Sequence, residues 1–256
     1  MLVDTHCHLD VAEFDPDRDR VIDRAHAAGV GRQIVPAIDA EGWPKLREVC
    51  QSHAGLFPAY GLHPMFLDSH HPQHLQMLGD WIERERPVAV GECGLDFFVD
   101  GLDADVQQRY FEAQLALAHD LDLPVIVHAR RAVEQVIVTF KKIGRVRGVV
   151  HSFPGSAEQA RQLWDLGFMI GIGAPVTYER AKRLRTVVAS VPLEQLLLET
   201  DAPDQPDAIS RGQRNEPARL TLVCETIAGL RGIEGTELAA ATTANAVRLF
   251  NLPPAL

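Results

Sequence analysis

Eight short runs of β-branched and apolar residues recur along the chain, and a longer stretch with helical periodicity follows nearly every one. The runs occupy residues 2–6, 33–37, 57–62, 88–92, 125–128, 148–151, 169–172 and 196–200. The amphipathic stretches between them cover 18–28, 43–53, 75–85, 106–121, 133–143, 157–166 and 181–188. Strands joined by crossovers of this length must lie parallel. Eight of them with helices outside predict an α/β fold of the (β/α)8, or TIM-barrel, kind. Gly29 and Gly167 stand where a helical pattern stops and the next strand begins, as helix ends require. Residues 203–217 form the longest segment without apolar periodicity and read as a loop after strand eight, followed by two helices. No linker interrupts the pattern, and 256 residues suit a single barrel domain over residues 1–256.

Composition narrows the partners. The chain holds 25 basic and 35 acidic residues, a net charge of −10, which excludes a generic basic nucleic-acid binder. Any anionic substrate needs a local cationic site. Only four of the basic residues are lysine (Lys45, Lys141, Lys142 and Lys182), and the arginine preference suits bidentate contacts to oxyanions. No window approaches the length of a membrane span. Cys7, Cys50, Cys93 and Cys224 lack CxxC spacing and read as small buried hydrophobes, and the first residues lack a leader pattern, so a cytoplasmic location is expected.

Each run tends to end in a residue able to bind a metal or move a proton. Strand one ends in His6 and His8, strand three in His63, strand four in Glu92, strand five in His128, strand six in His151 and strand eight in Asp201. Strand ends of a parallel barrel converge on one mouth, so these groups are expected to meet there. Period-two alternation puts Asp4, His6 and His8 on one face, turns Cys7 and Cys93 away, and sets Glu199 beside Asp201. One HxH proves little, and a single strand-end histidine is as readily a hydrogen-bonded core residue. Five histidines and two acids at one mouth differ, because burying them without compensation is costly and metal binding supplies that compensation. The remaining histidines, including His70 and His74 in a polar, turn-like stretch, read as surface residues.

Four imidazoles and two carboxylates (His6, His8, Glu92, His128, His151 and Asp201) form a mixed nitrogen and oxygen set suited to zinc or manganese, while magnesium prefers oxygens. Six donors exceed one tetrahedral ion with an open position, and two ions bridged by Glu92 fit better.

The segments DTHCHLD, GLHP, GECGLD, VIVHAR, GVVHSF, LLLETDAP and RNEP, in this order, resemble the TatD family of metal-dependent hydrolases in the amidohydrolase superfamily. The resemblance implies a (β/α)8 barrel, a centre of one or two metals, and magnesium-assisted removal of nucleotides from DNA ends. It matches His6, His8, His128 and His151 to ligands, Glu92 to the bridging carboxylate and Asp201 to the last ligand and proton acceptor. His63 matches the histidine near the substrate. After ETDAP the chain continues with Asp204 where TatD proper tends to carry an aromatic residue, which resembles the YjjV-type branch.

The expected activity is therefore that of a metal-dependent phosphodiesterase acting on nucleic acid, with Asp201, Glu92 and His63 as catalytic groups and no obligate protein partner. Arg130, Arg131, Arg211 and Arg214 are the expected contacts to substrate phosphates. Hydrolysis of a C–N or aminoacyl ester bond stays open, since the same centre would attack a carbonyl carbon.

Overall fold

The computed structural model describes residues 1–253. Its eight parallel strands stand in chain order: β1 Leu2–Asp4, β2 Val30–Pro36, β3 Leu56–Tyr60, β4 Ala89–Asp96, β5 Val125–Arg130, β6 Gly148–Val150, β7 Phe168–Ile172 and β8 Leu196–Leu198. Backbone bonds from Thr5 N to Leu198 O (3.0 Å) and from Asp201 N to His6 O (2.8 Å) join the last strand to the first, curling the sheet into the expected barrel. Crossover helices surround it: α1 Arg18–Ala27, α2 Trp43–Ser52, α3 Pro72–Glu85, α4 Ala104–Asp120, α5 Val133–Ile143, α6 Ala157–Asp165 and α7 Lys182–Ser190. Two more, α8 Leu220–Arg231 and α9 Gly235–Phe250, complete the chain order.

Local chemistry explains the helix starts. Asp103 accepts bonds from Asp105 N and Val106 N ahead of α4, and Ser156 with Gln159 forms a reciprocal cap at α6. The helices bury their apolar faces against the outer face of the strands, where Phe140 and Phe168 stack with ring centres 3.7 Å apart.

The barrel interior is filled at one end only. Val3, Ile34, Ala59, Ala89, Ile126, Val149, Met169 and Leu197, one from each strand, form an apolar floor closed by Ala246, Leu249 and Phe250 of α9. Burying a Leu, Ile or Phe side chain in this way contributes about 1.5–3 kcal/mol. Two residues beyond the floor, the inward positions become polar or vacant: His128, His151, Glu199 and the glycines Gly61 and Gly171. At Gly171 an added Cβ would run into the Glu199 carboxylate, so this glycine makes room for an acid beside the axis.

Strict alternation fails on two strands. β1 ends at Asp4, shorter than expected, and its register shifts next to Val3, so the inward series passes from Val3 to His6. Asp4 consequently does not point to the axis with His6 and His8. It is fully buried in the β1–β8 seam, accepting from Thr200 N (3.0 Å), Thr200 Oγ1 (2.6 Å) and His6 N (3.2 Å). On β4 a register shift between Val90 and Cys93 turns the series from Ala89 to Glu92, and the strand runs on to Asp96.

The loop after β8 is held by side chains throughout. Asn215 donates to Thr200 O and Asp204 O (2.9 Å each), and Tyr178 Oη donates to Pro206 O (2.9 Å). Asp207, with no exposed side-chain surface, accepts two bonds from Arg219 at 2.6 and 2.9 Å. Burial alone would raise the Asp207 carboxyl, but Arg219 and the amides of Ser210 and Ile209 hold it down at about 2. A depressed carboxyl stabilises the fold above its unfolded value of 3.8 and loses that contribution as pH falls towards 2. Asp207→Asn should therefore lower stability by roughly 1–3 kcal/mol near neutral pH. The gap between the two proteins in thermal melts should narrow from about pH 4 downwards, and a gap independent of pH would show that the charge is not what matters.

Candidate metal centre

The structure brings His6, His8, Glu92, His128, His151 and Asp201 into one cluster at the C-terminal mouth. Glu92 stands at its middle. Its Oε2 faces His6 Nε2 (3.1 Å) and His8 Nε2 (3.7 Å), and Asp201 Oδ1 lies 3.5 and 3.6 Å from the same two nitrogens. Its Oε1 faces His151 Nε2 (2.8 Å) and His128 Nδ1 (3.1 Å). Two donor sets thus share one carboxylate.

The set fits a cation. His6 Nε2 and His8 Nε2 approach within 3.2 Å, and His128 Nδ1 and His151 Nε2 within 3.4 Å, so ring nitrogens converge on shared space beside carboxylate oxygens. His6 Nδ1, His151 Nδ1 and Glu199 Oε2 are buried without a hydrogen-bond partner, and no lysine or arginine pairs with Glu92 or Asp201 among the described residues. Supporting contacts orient the rings. His8 Nδ1 meets Pro36 O at 3.1 Å, and His128 Nε2 meets Asp96 Oδ2 at 2.8 Å, leaving His8 Nε2 and His128 Nδ1 facing the cluster.

His63 is oriented differently. Met65 N donates to its Nδ1 (3.1 Å), so its proton sits on Nε2 and is donated to Glu92 Oε1 (3.0 Å). His63 is thereby a donor to the central carboxylate, which separates its role from that of the other four imidazoles.

The electrostatics follow from burial and crowding. Burial works to raise the Glu92 carboxyl, but His63, His151, His6 and His128 hold it well below the usual range. Burial pushes His63 down to about 4 and drives His6 below its ordinary value. His128 and His151 are raised in spite of burial, His128 by Asp96 and Glu92 and His151 by Glu92 and Glu199. Burial lifts Asp201 to about 6, against the pull of His151 and His8, and Gln205 Nε2 donates to its Oδ2. Burial pushes Asp4 up to about 8, against the hydrogen bonds it accepts from Thr200 and His6.

The cluster opens into a cleft of about 1410 Å³. Arg130 lines it, with its guanidinium 3.7 Å above the Phe98 ring. The other expected arginines do not line it. Arg131, at φ 54°, lies over the same ring at 4.6 Å, and Arg211 is exposed on the loop after β8. Arg214 is engaged elsewhere in the structure. Asp17 takes both of its amino groups (2.9 and 2.8 Å) and Glu216 adds a bond at 3.1 Å, so it ties the loop to α1 and offers no free charge. The cleft's further cations are Lys45, which is paired with Asp15, and Arg180, Lys182 and Arg183 after β7. That stretch is among the densest basic runs in the sequence but was legible only as a helix start. Asp96 and Glu199 are further polar members that lay outside the expected ligand set; Glu199 stands two residues before Asp201, and Asp96 four residues after Glu92 on β4. His70 is not a surface residue: it is 7% exposed, and its Nε2 meets His63 O at 2.9 Å.

A parallel barrel whose strand ends gather imidazoles and carboxylates is the architecture of a metal-dependent hydrolase. The chain belongs to the TatD related DNase family, whose pattern matches residues 3–251. It is 42% identical to the uncharacterized metal-dependent hydrolase YjjV of Escherichia coli over 98% of both chains. It is 34% identical to the 3'-5' ssDNA/RNA exonuclease TatD of Klebsiella pneumoniae, again over 98% of both. The crystal structure of Escherichia coli YjjV superposes with a TM-score of 0.95 at 41% identity, covering 98% of each chain. No helix among the described residues is long and apolar enough to cross a membrane.

The Asp96–His128 contact yields a direct test. Asp96→Asn keeps the shape but loses the charge that orients the ring, so affinity for a divalent ion should fall about 10- to 100-fold in equilibrium titrations, with the circular dichroism spectrum intact. Unchanged affinity would exclude Asp96 from that supporting role.

Proposed function

We propose that the protein is a two-metal phosphodiesterase that removes nucleotides from nucleic-acid ends. The observation that carries this reading is Glu92 shared between two donor sets, His6, His8 and Asp201 on one side and His128 and His151 on the other. The named activity of the Klebsiella relative supports it, as does the cationic side of the cleft. The nitrogen-rich donors favour zinc or manganese over magnesium. The four buried free thiols support a reducing compartment such as the cytoplasm.

Divalent ions held by these residues would supply an acidified water and polarise a phosphoryl oxygen. The chain's own residues do the rest. Asp201, with one oxygen turned toward His6 and His8 and the other held by Gln205, is placed to accept a proton at the centre. His63 donates to Glu92 and keeps its carboxylate turned toward both donor sets. Arg130, stacked on Phe98 at the rim, is placed to hold a phosphate oxygen.

Chelation should abolish cleavage of a single-stranded oligonucleotide, and added Mn²⁺ or Zn²⁺ should restore it. Asp201→Asn should cut kcat by at least about 100-fold with little change in melting temperature. Hydrolysis of an amide or aminoacyl ester without any cleavage of oligonucleotides would overturn the phosphodiesterase reading.

The two arginines should separate cleanly. Arg130→Ala is expected to raise KM for an oligonucleotide and to flatten the salt dependence of binding by up to about 0.7 for a lost single-strand phosphate contact. Arg214→Ala, by breaking the Asp17 pair, should instead lower the melting temperature. The reverse pattern in binding assays and melts would refute this division.

A further inference from the structure

The mouth of the cleft is apolar on one side and cationic on the other. After β3 the chain enters a tight turn, Pro64–Ser69, that exposes Met65 (40%) and Phe66 (37%) to the cleft. The turn is braced. Buried His70 meets His63 O at 2.9 Å, Ser69 Oγ donates to Phe66 O at 2.8 Å, and Met65 N donates to His63 Nδ1. Phe66 packs edge-to-face on His63 with ring centres 5.7 Å apart, and His63 Nε2 is 3.0 Å from Glu92. A fixed aromatic ring therefore stands one side chain away from the metal-binding carboxylate. In an eight-stranded barrel with strands in chain order, β7 lies across the mouth from β3, and the segment after β7 places Arg180, Lys182 and Arg183 in the opposite wall.

From this juxtaposition we infer that Phe66, flanked by Met65, is the subsite for an unpaired nucleobase next to the scissile phosphodiester, while the wall at residues 180–183 follows the phosphates. The inference rests on the phosphodiesterase reading and adds what that reading leaves open. A nucleobase offers an apolar π-face to stack on a phenyl ring, whatever its sequence identity. In a duplex that face is covered by the neighbouring base pair, so the subsite selects single-stranded or frayed ends. The exposed ring next to a charged centre needs an apolar occupant that also carries an anion, and a nucleotide is both.

The test compares two oligonucleotides that differ only in the terminal residue, one bearing a base and one abasic. In the wild-type protein loaded with Mn²⁺, kcat/KM for the base-bearing end should exceed that for the abasic end by at least about tenfold. Phe66→Ala should bring the ratio close to one, and Phe66→Trp should restore it. If the wild type cleaves both ends equally, or the ratio survives Phe66→Ala, the base subsite is overturned and the phosphodiesterase reading stands. If the wild type cleaves neither but hydrolyses an amide or ester, both fall.

Discussion

A buried carboxylate that cannot be allowed to stay unpaired organises the mouth of this barrel. Glu92 is 1% exposed, and an isolated carboxylate in such a place would be neutralised by protonation. It stays ionised because His6, His8, His63, His128 and His151 all present ring nitrogens to it, at 2.8 to 3.7 Å. These rings arrive from the ends of β1, β3, β5 and β6, so one charge couples half the strands of the barrel to a single point. The dependence is mutual, since four of those rings point their nitrogens at one another and need a cation to reconcile them.

The scaffold keeps this polar assembly from undermining the fold by dividing the interior along its axis. The apolar floor, with one residue from every strand, fills one end of the interior, and the polar layer begins about one strand repeat above it. That spacing is what period-two geometry delivers without any special device on β3, β5, β6, β7 and β8. Glycine is used where the polar layer needs space. Gly94, at φ 138°, lies so close to the His128 carbonyl that a side chain there would displace the strand carrying a ligand. Loops above the layer are fixed by buried polar anchors such as Asp207, Asn215 and His70, so the rim enters the reaction already shaped.

Much of this was legible in the sequence because it follows from local repetition. Apolar runs and helical periods revealed the eight strands and the order of elements, and polar residues terminating those runs revealed the cluster. What escaped depended on local irregularity or on distant contacts. Asp96 lay beyond the expected end of β4, since the register shift that turns Glu92 inward also lengthens the strand past it. Period-two alternation groups Asp4 with His6 and His8, but β1 ends at Asp4 and the two histidines lie beyond it, where the alternation no longer holds. Arg214 looked free, but its partner Asp17 lies 197 positions away, and no spacing rule reaches that far. His70 sits in a polar stretch that reads as surface, and only the folded turn shows that its ring is packed under His63.

The acidic net charge acquires a meaning once the cleft is divided by sign. Asp10, Glu13, Asp39, Glu41 and Asp204 line it around β1, β2 and the loop after β8, where Lys45 is already paired with Asp15 at 2.8 Å. Arg130, Arg180, Lys182 and Arg183 line the part served by β5 and β7. Screening at physiological salt, with a Debye length of about 8 Å, confines each group of charges largely to its own neighbourhood. A polyanion is therefore repelled from the first group and admitted over the second, which fixes its line of approach without any contact to sequence. The surplus of acids need not oppose an anionic substrate, because within the cleft the segment after β7 and Arg130 still offer a local cationic wall.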